Sequence, residues 1–93
     1  MSAARSLAAM KNLGAKSAKT LAAAGITTAD QVHELGAVEC YLRLSRHQGK
    51  RAHGMWLPVL LGAVQGLNYQ KLNRDELELV KQIAREQLAA EGL

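Results

Sequence analysis

The run Met55-Trp56-Leu57-Pro58-Val59-Leu60-Leu61-Gly62-Ala63-Val64 carries no charged side chain and no strongly polar one. A helix built from it is apolar on every side, and such a helix asks for burial all round. In a chain of 93 residues that demand is met if the helix is central and the others wrap it. Any part left unwrapped becomes an exposed apolar patch, which marks a protein interface. Met55, Trp56 and Leu61 are the residues that would form that interface with a partner or a second copy. The run is far shorter than the ~20 apolar residues a membrane span requires.

The rest of the chain must supply the wrapping. Hydrophobic residues make up 48% of the sequence but aromatic ones only 3%, so the core is aliphatic and rich in alanine. That composition, a single proline and the absence of any useful stretch alternating with period two favour helices. The expected fold is all-α: one compact five- to six-helix domain over residues 1–93 that contains a helix-hairpin-helix. A chain of this size buries roughly 60–65% of its unfolded surface, enough for one modest core.

Local signals place the elements. Ser2 caps a first helix to about Met10, and Lys11-Asn12-Leu13-Gly14 forms a turn. A second helix runs from Ala15 to about Ala24, and Gly25 supplies a left-handed stop, after which Ile26 packs back. Thr28 caps a short third helix holding Val32 and Leu35. Gly36 breaks it, and a fourth runs from about Ala37 to His47, with Glu39 and Arg43 spaced to pair on its surface. Gln48 to His53 is a basic loop. The apolar helix follows, with Pro58 tolerable only in its first turn. Asn73 caps the last helix, with Glu76 as reciprocal partner in a capping box. That helix turns Leu77, Val80, Ile83, Ala84 and Leu88 inward and runs to about Ala90.

The turn at Lys11–Gly14 and the helix after it form the second half of a helix-hairpin-helix, a unit suited to holding a phosphate backbone. Helix starts leave free N–H groups and a positive dipole end. The expected donors are the amides of Ala15, Lys16 and Ser17, with the Ser17 hydroxyl added. Gly14 makes the turn, and Asn12 enters the left-handed region at low cost. Lys11, Lys16 and Lys19 surround the spot. The same residues also make a plain helix–helix turn with solvated lysines, and a lone hairpin binds weakly at physiological salt. Residues 1–53 hold eight lysines and arginines against three acids, whereas residues 54–93 hold four against five. The basic front half suits a polyanion or simply aids solubility.

A second basic cluster comprises Arg43, Arg46, His47, Lys50, Arg51 and His53. It reads either as a second backbone or acidic-partner contact or as a solvated helix end, where cations suit the dipole. No aromatic residues interleave it, as single-strand binders require for base stacking. Cys40 with His47 and His53 has the wrong spacing for a zinc finger and lacks a second cysteine, so Cys40 reads as a buried structural thiol. A single cysteine also fits a reducing compartment. No nucleophile–base pair, paired carboxylates or glycine-rich phosphate loop stands out. The expectation is a non-enzymatic cytoplasmic protein with no cofactor, metal, membrane contact or small-molecule substrate.

Three blocks in order carry a resemblance to the C-terminal domain of the TfoX/Sxy family of bacterial competence regulators. The first is Leu13-Gly14, Lys16-Ser17, Leu21 and Gly25-Ile26. The second is Glu34 to Glu39 with Tyr41, Arg43 and Leu44. The third is Leu57, Leu60, Gly62-Ala63-Val64 and Gly66, followed by Tyr69 and Leu72. The resemblance spans about Leu7 to Leu72. It implies a helical domain with a helix-hairpin-helix and a regulatory role linked to transcription and DNA uptake, here as a stand-alone copy of the second domain. The chain departs from the family pattern at Ala15, where proline is common, at Met55 and Pro58, and at Leu61, where an acid is common. Two functions follow as expectations. One is a regulatory domain touching the DNA backbone, without sequence specificity, through the hairpin. The other is a protein-interaction module, as a homodimer or with a transcription-associated partner, that binds no nucleic acid.

Overall fold

The computed structural model describes residues 6–93. The order of elements is a 3-10 turn at Leu7–Ala9, then α1 (Ala15–Ala23), α2 (Ala29–Gln48) and α3 (Trp56–Gln65), a second 3-10 turn at Tyr69–Lys71, and α4 (Arg74–Ala90). The described residues thus hold four α-helices and no strand beyond an isolated bridge between Ser6 and Thr28.

The count differs from the expected five or six for two reasons. The segment before the turn at Lys11–Gly14 is a single 3-10 turn within the described residues, and the Ser2 cap lies outside them. The expected third and fourth helices run on as one element, α2, bent at Gly36. There φ is 80° and ψ is 167°, a combination that only glycine adopts freely. The chain leaves helical geometry for one residue and resumes it at once.

Caps set the other ends. Thr28 Oγ1 accepts from the Gln31 amide at 3.2 Å, and Gln31 Oε1 accepts from the amides of Thr28 and Thr27 at 3.1 and 2.6 Å. This is a complete capping box. At α4 only half of the expected box forms. Asn73 Oδ1 accepts from the Glu76 amide at 2.9 Å, but the Glu76 carboxylate turns to Gln65 Nε2 at 2.7 Å and ties α4 to the end of α3. Pro58 is the third residue of α3, where a missing N–H costs nothing.

The apolar helix is central. α3 buries Leu57, Pro58, Leu60, Leu61, Gly62 and Ala63, and it packs against both α2 and α4, which also touch each other. Leu44, Cys40, Leu60 and Ala84 are fully enclosed where the three meet. Leu61 is 7% exposed, so it serves the core and drops out of the expected interface. Met55 stays exposed and Trp56 is half-buried. Ile83, expected inside, is 45% exposed. The inward stripe of α4 is narrower than the sequence suggests, with only Ala84 and Leu88 fully covered.

Two polar devices hold the loops to this core. The Ala52 amide donates to Ser45 Oγ at 2.9 Å while the Tyr41 hydroxyl donates to the Ala52 carbonyl, all within buried surroundings. They strap the 49–54 segment to α2. The other device is Asn12, which is at the centre of the candidate site.

Candidate nucleic-acid interface

α1 is short, nine residues; Leu21 is its one fully buried residue, Ala18 packs half-buried beside the core, and Leu13 and Ile26 lie buried at either end. Such an element needs fastening at its start. Asn12 supplies it from a left-handed backbone, φ 71°, among the described residues the one non-glycine with positive φ. Its Nδ2 donates to the Leu67 carbonyl at 2.9 Å and the Val59 carbonyl at 3.3 Å, and its Oδ1 accepts from the Tyr69 amide at 3.1 Å. The side chain expected at a phosphate is therefore spent on α3 and the loop after it. These bonds fix the turn that leads into α1. Gly14, expected to make the turn, is extended at φ −140° and serves as the N-cap. The tight turn belongs to Asn12.

Beyond the turn, the start of α1 faces solvent. Gly14, Ala15, Lys16 and Lys19 are exposed and Ser17 is half-exposed. Among the described residues no hydrogen bond uses the amides of Ala15, Lys16 or Ser17; the first backbone bond of the helix is Ala18 N–H to the Gly14 carbonyl at 2.9 Å. Among the described residues nothing lies within 4 Å of where a Cβ on Gly14 would sit. Lys11, Lys16 and Lys19 enter no ion pair among the described residues, and α1 carries no acid. Unused donors, a dipole end and unneutralised cations coincide on one exposed turn, the composition of an anion site.

A groove of about 200 Å³ adjoins this turn, lined by Asn12, Ser17, His53, Met55, Trp56 and Val59. Ser17 meets His53 and Trp56 here although nothing local in the sequence signals that the loop before α3 returns to the start of α1.

The second basic cluster is occupied internally. Arg43 Nε pairs with Glu39 at 3.0 Å, as the spacing predicts. Arg46 reaches Glu39 at 3.3 Å and clasps both oxygens of Glu91 at 2.7 Å. The hydrogen bond from Arg46 holds the Glu91 carboxyl down to about 2. Arg51 Nε donates to the Leu93 carbonyl at 2.8 Å. Of Arg43, Arg46, Lys50 and Arg51, only the Lys50 side chain engages nothing among the described residues. Arg46 and Arg51 tie α2 and its loop to the residues that end and follow α4.

Cys40 is fully enclosed, and burial pushes its thiol up to about 11. The thiolate that reactivity requires is therefore suppressed. Among the described residues no cluster of three or more His, Cys, Asp or Glu could hold a metal. None of the described helices is long and apolar enough to cross a membrane.

The family model of the TfoX C-terminal domain matches residues 3–84, nearly the whole chain. The chain belongs to the TfoX C-terminal domain family. A crystal structure of an uncharacterized protein from Listeria monocytogenes shares the fold with a TM-score of 0.78. It is 26% identical and the match covers 87% of this chain and 91% of that one. No curated protein matches. As a TfoX C-terminal domain, the chain keeps its central apolar helix despite Leu61 and Pro58, both of which the core absorbs.

Proposed function

We propose that this chain is a non-enzymatic regulatory domain that contacts the DNA backbone through the turn at Lys11–Gly14 and the first turn of α1. In this reading the turn and α1 form the second arm of a helix-hairpin-helix, and the 3-10 turn at Leu7–Ala9 is the described part of its first arm. One observation carries the proposal: three amides and three lysines remain uncommitted on one exposed turn, while the arginines of the other basic cluster are bound to acids and a carbonyl. A phosphate would accept from the amides of Ala15, Lys16 and Ser17. Lys11, Lys16 and Lys19 would neutralise its neighbours.

Recognition of this kind reads no base edges, so it discriminates poorly between sequences. Binding is weak and steeply dependent on salt, with a log–log slope of about −3 if three phosphates are neutralised. Fluorescence anisotropy with a labelled duplex at low and physiological salt tests it. Binding at low salt that Lys16→Glu with Lys19→Glu removes supports the proposal. Absence of binding at low salt, or indifference to those changes, refutes it.

A further inference from the structure

We propose that a groove between the 51–58 segment and α4 receives the outer face of α4 from a second copy of this chain. This inference does not draw on the DNA reading. The groove encloses about 450 Å³, and among the described residues no carboxylate lines it. Leu57, Pro58 and Ala84 are among its apolar walls, and Arg51, Lys81 and Arg85 ring it with positive charge. Lys81 has one partner, Glu78, at a loose 3.6 Å. Met55, 45% exposed, stands at the lip.

The complement lies on the other side of α4. Asp75, Leu79, Ile83 and Glu86 fall on one helical face by their spacing, away from the buried Ala84 and Leu88. Leu79 is 56% and Ile83 45% exposed, with a carboxylate at each end of the pair. Four large hydrophobic residues are exposed among the described residues: Met55, Leu67, Leu79 and Ile83. Three of them belong to these two surfaces. An acidic rim around two aliphatic side chains matches a basic rim around an apolar floor in both charge and polarity.

Groove and knob occupy different faces of the same helix, so one molecule cannot satisfy itself. The contact is head-to-tail and leaves a free groove at one end and a free knob at the other. Its small size makes it weak, in the range where association appears between about 10 µM and 1 mM.

Sedimentation equilibrium of the full chain tests this. The average mass should rise above the 10.0 kDa monomer with concentration at low salt and fall back as salt screens the rims. Leu79→Asp with Ile83→Asp should remove the knob, and Lys81→Glu with Arg85→Glu the groove, each leaving a monomer. Mixed in equal amounts, the two variants should form a dimer and stop there, because each retains one intact surface. Arg51→Glu, outside any helix, gives a second groove variant, and circular dichroism checks that every variant is folded. A wild-type chain that stays monomeric at low salt throughout the range overturns the proposal and leaves the groove to a different partner. Association that survives both double variants, or variants that fail to complement each other, also overturns it.

Discussion

Asn12 and Gly62 are matched: the Asn12 carboxamide occupies the space where a side chain on Gly62 would begin. A Cβ built on Gly62 collides with Asn12 Nδ2 and comes within 2.6 Å of the Leu67 carbonyl, both of which are already bonded to each other. The glycine lets the turn at Asn12 approach α3, and the asparagine fills the opening with three hydrogen bonds. Gly62→Ala should therefore destabilise the fold by about 1–3 kcal/mol through forced displacement of a bonded side chain or backbone. Urea unfolding with an unchanged m-value reports it.

Asn12 carries two separable contributions, its bonds and its left-handed backbone. Asn12→Gly keeps the backbone and loses three hydrogen bonds, a cost of about 2–4 kcal/mol. Asn12→Ala adds about 1 kcal/mol because alanine resists positive φ. The order of stability should be wild type, then Asn12→Gly, then Asn12→Ala. Equal stability of the two variants would mean that the turn relaxes out of the left-handed region.

Much of this architecture could be read from local signals. Thr28, Asn73, Gly25 and the position of Pro58 mark helix ends through bonds and backbone preferences that act within a few residues. The burial of the apolar helix followed from its composition alone. What escaped was non-local. The carboxamide of Asn12 finds its partners at Val59, Leu67 and Tyr69, so the sequence showed its backbone preference but not its role. The Glu76 carboxylate prefers Gln65 to its own cap, and Arg46 finds Glu91 across the chain. Gly36 was visible as a break, but whether a helix stops or bends there depends on what packs beyond it.

The Ser45–Ala52–Tyr41 strap predicts an unequal pair of costs. Ser45→Ala leaves the buried Ala52 amide without an acceptor, a loss of about 1–3 kcal/mol. Thr28→Ala removes a half-buried cap, worth about 1 kcal/mol. Thermal unfolding of the two variants side by side checks that the strap matters more than the cap.

Acid should weaken the link between α2 and the end of α4. The Glu91 carboxyl ordinarily titrates near 4.5 and is held down to about 2 by Arg46. A lowered folded value stabilises the native state above the unfolded value, and that contribution fades as pH falls from 4.5 through 2. The pair is exposed, so added salt diminishes it. Arg46→Gln should show a shallower loss of stability between pH 4.5 and 2 than the wild type. Parallel curves would mean that the clasp adds nothing in solution.

Gly14 separates folding from binding. Its backbone is extended and its surroundings are open, so Gly14→Ala should change stability by no more than about 0.5 kcal/mol. A methyl group there would still stand where a phosphate approaches the Ala15–Ser17 amides. The variant should melt like the wild type and bind duplex DNA more weakly. Undiminished binding would place the phosphate elsewhere.

The most direct test is a titration of the isotope-labelled chain with duplex DNA at low salt, followed by amide NMR shifts. The largest shifts should fall on Ala15, Lys16 and Ser17, with smaller ones at Lys11 and Lys19, while the Arg43 and Arg46 amides stay still. Shifts centred on Lys50 and Arg51 or along α4, or no shifts at all, would contradict it.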